Sequence, residues 1–270
     1  MIHQAKGKKY MYGELTWLEM KEAIAQQRVI LLPVGTIENH GHHLFLETDN
    51  FLVTNVCRAT AERIPEEVLI MPLVPYGFNW HHIDFPGTIG IAAEHFIDYC
   101  LDITKSVAYH GFRKILIVDG HGSNVPFLDI VARRTVMETE ALCASFIYTS
   151  LVGDFLKEVR ESSFPGGMAH ADELETSLTL HLEKERANMS LAKKEIGMLP
   201  SQFIWHDLGS SSPVAMMEWW STFSQTGVLG DPTVATEEKG EAIFKKVIER
   251  MVELVKEFKA RPIRPRRDQH

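Results

Sequence analysis

Cysteine is scarce. Cys57, Cys100 and Cys143 are the only three in 270 residues, they lie far apart, and no CxxC pair occurs. That spacing excludes a disulfide framework and a cysteine-rich zinc site, and the expected setting is a reducing cytoplasm. Basic charge is also short, with 28 Lys and Arg against 36 Asp and Glu and a net charge of −8. Such a chain repels a phosphate backbone, so no nucleic-acid partner is expected. The basic stretch KARPIRPRRDQH at the C-terminus is read as a solvated tail. No apolar run approaches the roughly 18 residues of a membrane span, and the opening MIHQAKGKKYMYGE has no apolar leader region, so no membrane partner is expected. Phosphate loops of the forms GxGxxG and GxxxxGK[ST] are missing, which leaves nucleotide binding without its usual cradle.

What remains is an ordinary globular composition, 45% hydrophobic and 24% charged, of a size that suits one domain over residues 1–270. The runs RVILLPVG (28–35), VLIMPLVPYG (68–77), KILIVDG (114–120) and CASFIYTS (143–150) read as buried strands. Helical patterns lie between them. One starts at the N-cap pair Thr48–Asp49, and others cover about 92–110 and 125–138. The segment at about 237–259 is a strongly amphipathic helix, with Ile243, Val247, Met251, Leu254 and Phe258 on one stripe. This alternation predicts an α/β fold: three layers, α/β/α, around a mostly parallel central sheet. Residues 200–236 are irregular and Trp-rich, which suits either a lid or a packed surface loop.

Thirteen histidines are present, and three of them fall in the stretch GTIENHGHHLFLETDN (35–50). Ligands of open α/β sheets gather at the carboxyl ends of the strands. Two predicted strand ends carry ligand-type residues, Glu38-Asn39-His40 after the first and the loop DGHGSN (119–124), with His121, after the third. Glu38 and His40 are two apart in an extended segment and would point to one side, while Asp49 opens the following helix. The glycines beside His40 and His121 would allow tight turns. A third cluster is GGMAHADELETSLTLHLEK (166–184). With a helix from Ala171, His170 and Glu173 are three apart and share a face. Glu175 is rotated roughly 200° from Glu173 and points elsewhere. An acidic first helical turn is the better explanation of these carboxylates when the segment is taken alone. Together the carboxylates and imidazoles match Zn²⁺ or Mn²⁺, and two such ions about 3.5–4 Å apart would activate water and polarise a carbonyl.

With these residues in place, the sequence resembles the creatininase (creatinine amidohydrolase) family. GTIENHGHHLFLETD, YGFNWHHIDFPGT, DGHGSN, HADELETS and GVLGDPTVATEEKG are similar to five family motifs, in order, over about 200 residues. The resemblance implies a hydrolase with two divalent metal ions, Zn²⁺ and/or Mn²⁺. It implies Glu38 and His40 on different metals, Asp49 bridging them, and His121 on one. Creatininase proper has a further Glu ligand two residues after that histidine; Ser123 stands there in this chain. Glu173 is the expected replacement. His170 is implied as the proton-shuttling acid and base, with Glu175 orienting. The departures bear on substrate: Asn39 stands for a family Gln, His42 and Phe45 for prolines, Asp172 for a Gly, and Gly166 for a substrate-flanking Trp. The pocket is expected to involve His42, His43, Tyr76, Asn79, His82 and Ser123.

The expected activity is hydrolysis of a small cyclic or amide-bearing metabolite at a C–N bond. An alternative is hydrolytic C–C ring opening of a cyclic polyol diketone of the inosose type at the same centre. An alternative of another class is a non-catalytic nucleotide- or sugar-binding module. The expected partner is a small-molecule substrate, and the resemblance implies a homo-oligomer, a hexamer.

Overall fold

The computed structural model describes residues 9–270, so the opening segment read as lacking a leader lies partly outside the described residues. Helix α1 (Trp17–Ala25) precedes β1 (Val29–Val34), α2 (Thr48–Arg63), β2 (Val68–Ile70), α3 (Ala93–Tyr109), β3 (Lys114–Asp119), α4 (Val125–Glu138) and β4 (Leu142–Ile147). Then come α5 (Gly153–Val159), β5 (Met168–His170), α6 (Glu173–Glu183), β6 (Leu229–Gly230) and α7 (Glu237–Ala260). The first four strands form one parallel sheet in the order β2-β1-β3-β4. The order reverses between β1 and β3, the kind of switch point at which α/β sheets open a ligand crevice.

Alternation along the central strands sorts the helices into two outer layers. Val29 and Leu31 of β1, with Leu116 and Val118 of β3, pack on the face that meets α2, α6 and α7. Ile30, Leu32, Ile115 and Ile117 point to the other face, towards α3, α4 and the partly buried Met20 and Ile24 of α1. Both faces are therefore apolar, as a parallel sheet between helix layers requires. Each fully buried Leu or Ile contributes about 1.5–3 kcal/mol by leaving water.

Three expectations need adjustment. β2 stops at Ile70 because Pro72 and Pro75 have no N–H to continue a ladder. β4 is an edge strand, half-buried along all six residues, and the chain turns into a short 3₁₀ segment at Tyr148. The N-cap of α2 is Glu47, and Thr48 instead donates its hydroxyl to the Phe45 carbonyl at 2.6 Å. α1 was not anticipated, although Thr16 and Glu19 form a capping box that is readable in the sequence.

The long α7 starts where Thr236 accepts from the Lys239 N–H at 3.2 Å, and it buries Ile243, Val247, Ile248, Met251, Val255 and Phe258. Leu254 of the expected stripe is only partly buried and Val255 takes its place. A Cβ on Gly240 would sit 1.9 Å from the Ser177 carbonyl oxygen, so the absence of a side chain lets α7 close onto α6. Residues 200–236 are indeed largely irregular, yet they contain β6, which pairs antiparallel with β5. Among the described residues no helix is long and apolar enough to cross a membrane. The three cysteines are unpaired.

Candidate metal centre

The carboxyl ends of β1 and β3 converge with the first turn of α2, the end of β5 and the start of α6. Glu38 and His40 follow β1 in a loop held by the Glu38 N–H donating to the Leu46 carbonyl at 2.9 Å. Gly41 turns that loop with φ 63°, in the left-handed region. Gly120 and Gly122 beside His121 do not use that region. Asp49 lies in the first turn of α2, where the helix dipole favours an anion. All of Glu38, His40, Asp49, His121, His170 and Glu175 are buried.

Each imidazole is fixed the same way. His121 Nε2 lies 3.2 Å from the Phe78 carbonyl, His170 Nε2 lies 2.8 Å from the Asn39 carbonyl, and His40 Nδ1 lies 3.3 Å from the Glu38 carbonyl. A carbonyl only accepts, so these nitrogens carry the protons and donate. The other nitrogen of each ring faces carboxylates. His121 Nδ1 is 3.2 Å from both Glu38 Oε1 and Asp49 Oδ2, and His170 Nδ1 is 3.4 Å from Glu38 Oε1. His40 Nε2 is 3.2 Å from Asp49 Oδ1 and 3.7 Å from Glu175 Oε2. Lone pairs aimed at carboxylates repel unless a cation or a proton lies between them. Both Glu38 oxygens, Asp49 Oδ2 and His40 Nε2 are buried without a hydrogen-bond partner, as expected of atoms that serve as ligands.

Among the described residues, three overlapping sets could each hold an ion: Glu38, Asp49 and His121; His40, Asp49 and Glu175; and Glu38, His40 and His170. Oxygen and imidazole donors of this mix suit Zn²⁺ or Mn²⁺. The electrostatics agree. Burial pushes the Glu38 carboxyl up, opposed by His121. Burial opposes charge on His40, but Asp49 and Glu175 outweigh it and raise its pKa well above the usual imidazole range. His121 behaves likewise beside Glu38 and Asp49. His170, by contrast, is held neutral by burial and by the neighbouring His40.

Glu173 is not brought into the cluster. Its carboxylate accepts from Lys239 Nζ at 2.6 Å and from the N–H groups of Glu161 and Ser162 at 3.0 and 2.9 Å. The helix begins at Glu173 with Asp172 as N-cap, and Ala171 has φ 49°. His170 thus sits on a strand across a turn, so the three-residue helical spacing does not apply. Glu175 takes the place beside His40, and its Oε2 also accepts from the Ala171 N–H at 2.6 Å.

The expected pocket residues divide. His82 is at the site, with Nε2 3.7 Å from Glu38 Oε2 and its ring 4.6 Å from His170. His43 turns away to Thr176 Oγ1 at 2.9 Å, and burial depresses its pKa to about 4. Asn79 braces the loop through Thr36 Oγ1 and the Ile37 carbonyl, both at 3.3 Å. His42 and Tyr76 are exposed. Ser123 Oγ is 2.8 Å from His81 Nε2. Two further residues flank the site. Trp220 stacks on His82 at 4.3 Å and donates Nε1–H to the Gly227 carbonyl at 3.1 Å. His81 is buried beside His121, Trp220 and His82, and burial holds its pKa down at about 3. The WHH run in the sequence was the available signal for His81.

Fold and site together define an α/β protein with a buried carboxylate–imidazole cluster of the metal-binding type. A family model described as creatininase, creatinine amidohydrolase, matches residues 13–255. The chain belongs to the creatininase family, and it is an enzyme of that family's metal-dependent, amidohydrolase-like hydrolases. This sets aside the non-catalytic binding module. Creatinine amidohydrolase of Pseudomonas putida is 28% identical over 93% of this chain and 97% of its own length. The mycofactocin precursor peptide peptidase of Mycobacterium tuberculosis is 30% identical, covering 93% of each chain. The 3-dehydro-scyllo-inosose hydrolase of Thermotoga maritima is 26% identical over 93% of this chain and 84% of its own. A solved structure described as creatininase Mn superposes with TM-score 0.79 at 26% identity, covering 94% of this chain and all of that one. A creatininase variant of the Zn-Zn type gives 0.78 with the same coverage.

Proposed function

We propose that the protein is a binuclear-metal hydrolase of a small cyclic or amide-bearing metabolite, acting on a C–N bond. The observation that carries this is Asp49, whose two oxygens face His40 and His121 separately, so that one carboxylate spans two ligand sets. Glu38 and His121 would complete one site, His40 and Glu175 the other. Glu175 replaces Glu173 in the ligand role expected from sequence. When bound, two divalent ions supply water activation at neutral pH and polarisation of a carbonyl.

The chain's own residues do the rest. His170, with its Nε2–H committed to the Asn39 carbonyl, keeps Nδ1 open to take a proton and return it to the leaving group. The indole ring of Trp220 stacks on His82 and lies 5.3 Å from His170, excluding water from that side. Names of two relatives, an amidohydrolase and a peptidase, favour C–N cleavage. A second reading, C–C opening of a cyclic polyol diketone, is favoured by the inosose hydrolase relative and by the neutral histidines lining the site. We place the protein in the cytoplasm as a homo-oligomer, in keeping with its unpaired cysteines and with the exposed Phe203, Met217 and Trp219.

The test is a panel of lactams, N-formyl amides, short peptides and cyclic keto-polyols, assayed with metal-loaded and chelator-treated protein. Turnover of one class with the loaded protein alone is expected. Turnover that survives complete removal of metal would overturn the proposal.

A further inference from the structure

Ser123 and His81 stand beside the centre without belonging to any of its ligand sets. Ser123 lies two residues beyond His121, and the His81 and His121 rings are 6.0 Å apart. His81 is 2% exposed, and its Nδ1 is buried with no hydrogen-bond partner. That missing partner decides which nitrogen holds the proton. With the proton on Nδ1, a buried N–H would be left unpaired, an arrangement that is rare in folded proteins. The proton therefore sits on Nε2 and is donated to Ser123 Oγ, 2.8 Å away. The serine's own hydroxyl hydrogen is thereby free to point elsewhere. Ser123 is half-buried, and beside the exposed Gly122 there is open space, with nothing within 4 Å of where a Cβ would be. The far side of this corner is walled by Trp220, 5.7 Å from His81. His206, 5.8 Å from Trp220, presents a second buried, unpartnered nitrogen, Nε2.

We propose that Ser123, oriented by His81, is a hydrogen-bond donor that positions the substrate beside the Glu38–His121 half of the centre. It selects a substrate carrying an uncharged oxygen acceptor, a carbonyl, ether or hydroxyl oxygen, next to the bond that is cut. This rests on the metal-centre reading above and names the substrate class for it. A substrate presenting only N–H donors at that position meets a donor and loses the contact.

The experiment uses full-length zinc-loaded protein and alkyl hydroxamates as metal-anchored probes, in matched pairs where an ether oxygen replaces one methylene at each chain position. Calorimetry should show one ether probe binding about five- to tenfold more tightly than its alkyl partner. Ser123→Ala should erase that preference while leaving zinc content and alkyl-probe affinity unchanged, and His81→Phe should reduce it. Nitrogen-15 spectra of the histidines should show His81 protonated at Nε2. Equal affinity within every pair, a preference that persists in Ser123→Ala, or a proton on His81 Nδ1 would each overturn the inference and leave the metal centre standing. Failure of the wild-type protein to hold zinc, or of the loaded protein to bind any hydroxamate, would instead overturn the metal centre and this inference with it.

Discussion

Glu173 and Glu175 are two residues apart, both buried, and assigned opposite tasks, so replacing each by Gln separates the tasks. Glu175→Gln removes the charge beside His40 and Asp49 but keeps the shape of the side chain. Taking one charged partner out of a buried ionic cluster costs about 3–5 kcal/mol, which is on the order of 10²–10⁴-fold in affinity for the ion it faces. The other ion, beside Glu38 and His121, should remain. Glu173→Gln leaves the Lys239 ammonium short of one charged hydrogen bond, although Glu161 Oε1 at 2.7 Å and the Val234 carbonyl at 2.8 Å still hold it. The loss is about 2–3 kcal/mol of stability, roughly 4–5 °C in Tm for a chain of this size, with ion content untouched. Elemental analysis after dialysis against a weak chelator, alongside thermal unfolding, reads both effects. Loss of metal from Glu173→Gln together with full metal in Glu175→Gln would refute the assignment.

In metal-free protein the carboxylates hold His40 and His121 protonated at neutral pH, so ion binding must expel those protons. Calorimetry at pH 7 in buffers of different ionisation enthalpy should show about one to two protons released per chain; none released would contradict the geometry. The same raised values give a sign for stability. The His–carboxylate pairs stabilise the metal-free fold fully below the unfolded value of 6.5 and are lost as pH rises through the elevated folded values, while metal-loaded protein should not follow that decline. His170→Asn should retain both ions and lower kcat by about 10²–10⁴-fold, and loss of metal would make His170 a ligand. Trp220→Ala removes a buried ring stacked on His82 and should cost about 3–5 kcal/mol in denaturant unfolding; a change below about 1 kcal/mol would mean that the loop packs without it.

The parallel sheet was legible because its central strands β1 and β3 are buried on both faces and read as unbroken apolar runs. The convergence of Glu38, His40 and His121 was legible because they follow strand ends, where the chain direction already decides which edge they reach, and Asp49 because it opens the helix after the first strand. Around His170 that logic was absent. The sequence HADELETS reads as one helical run, but a left-handed Ala171 and the Asp172 cap place a turn in it, and this brings Glu175 beside His40 while Glu173 turns to Lys239. Lys239, which holds Glu173, is 66 residues away on α7, a contact that local periodicity does not encode. Likewise Trp220 meets His82 across 138 residues of sequence, a contact that local pattern does not encode. The fate of His43 was hidden for a similar reason, since its partner Thr176 is 133 residues away.

The central claim is that Asp49 spans two ions. Anomalous diffraction from crystals of the zinc- or manganese-loaded protein tests it most directly. Two peaks about 3.5–4 Å apart are predicted, one flanked by Glu38 and His121 and the other by His40 and Glu175, with Asp49 touching both. A single peak, or a pair of peaks without Asp49 between them, would contradict it.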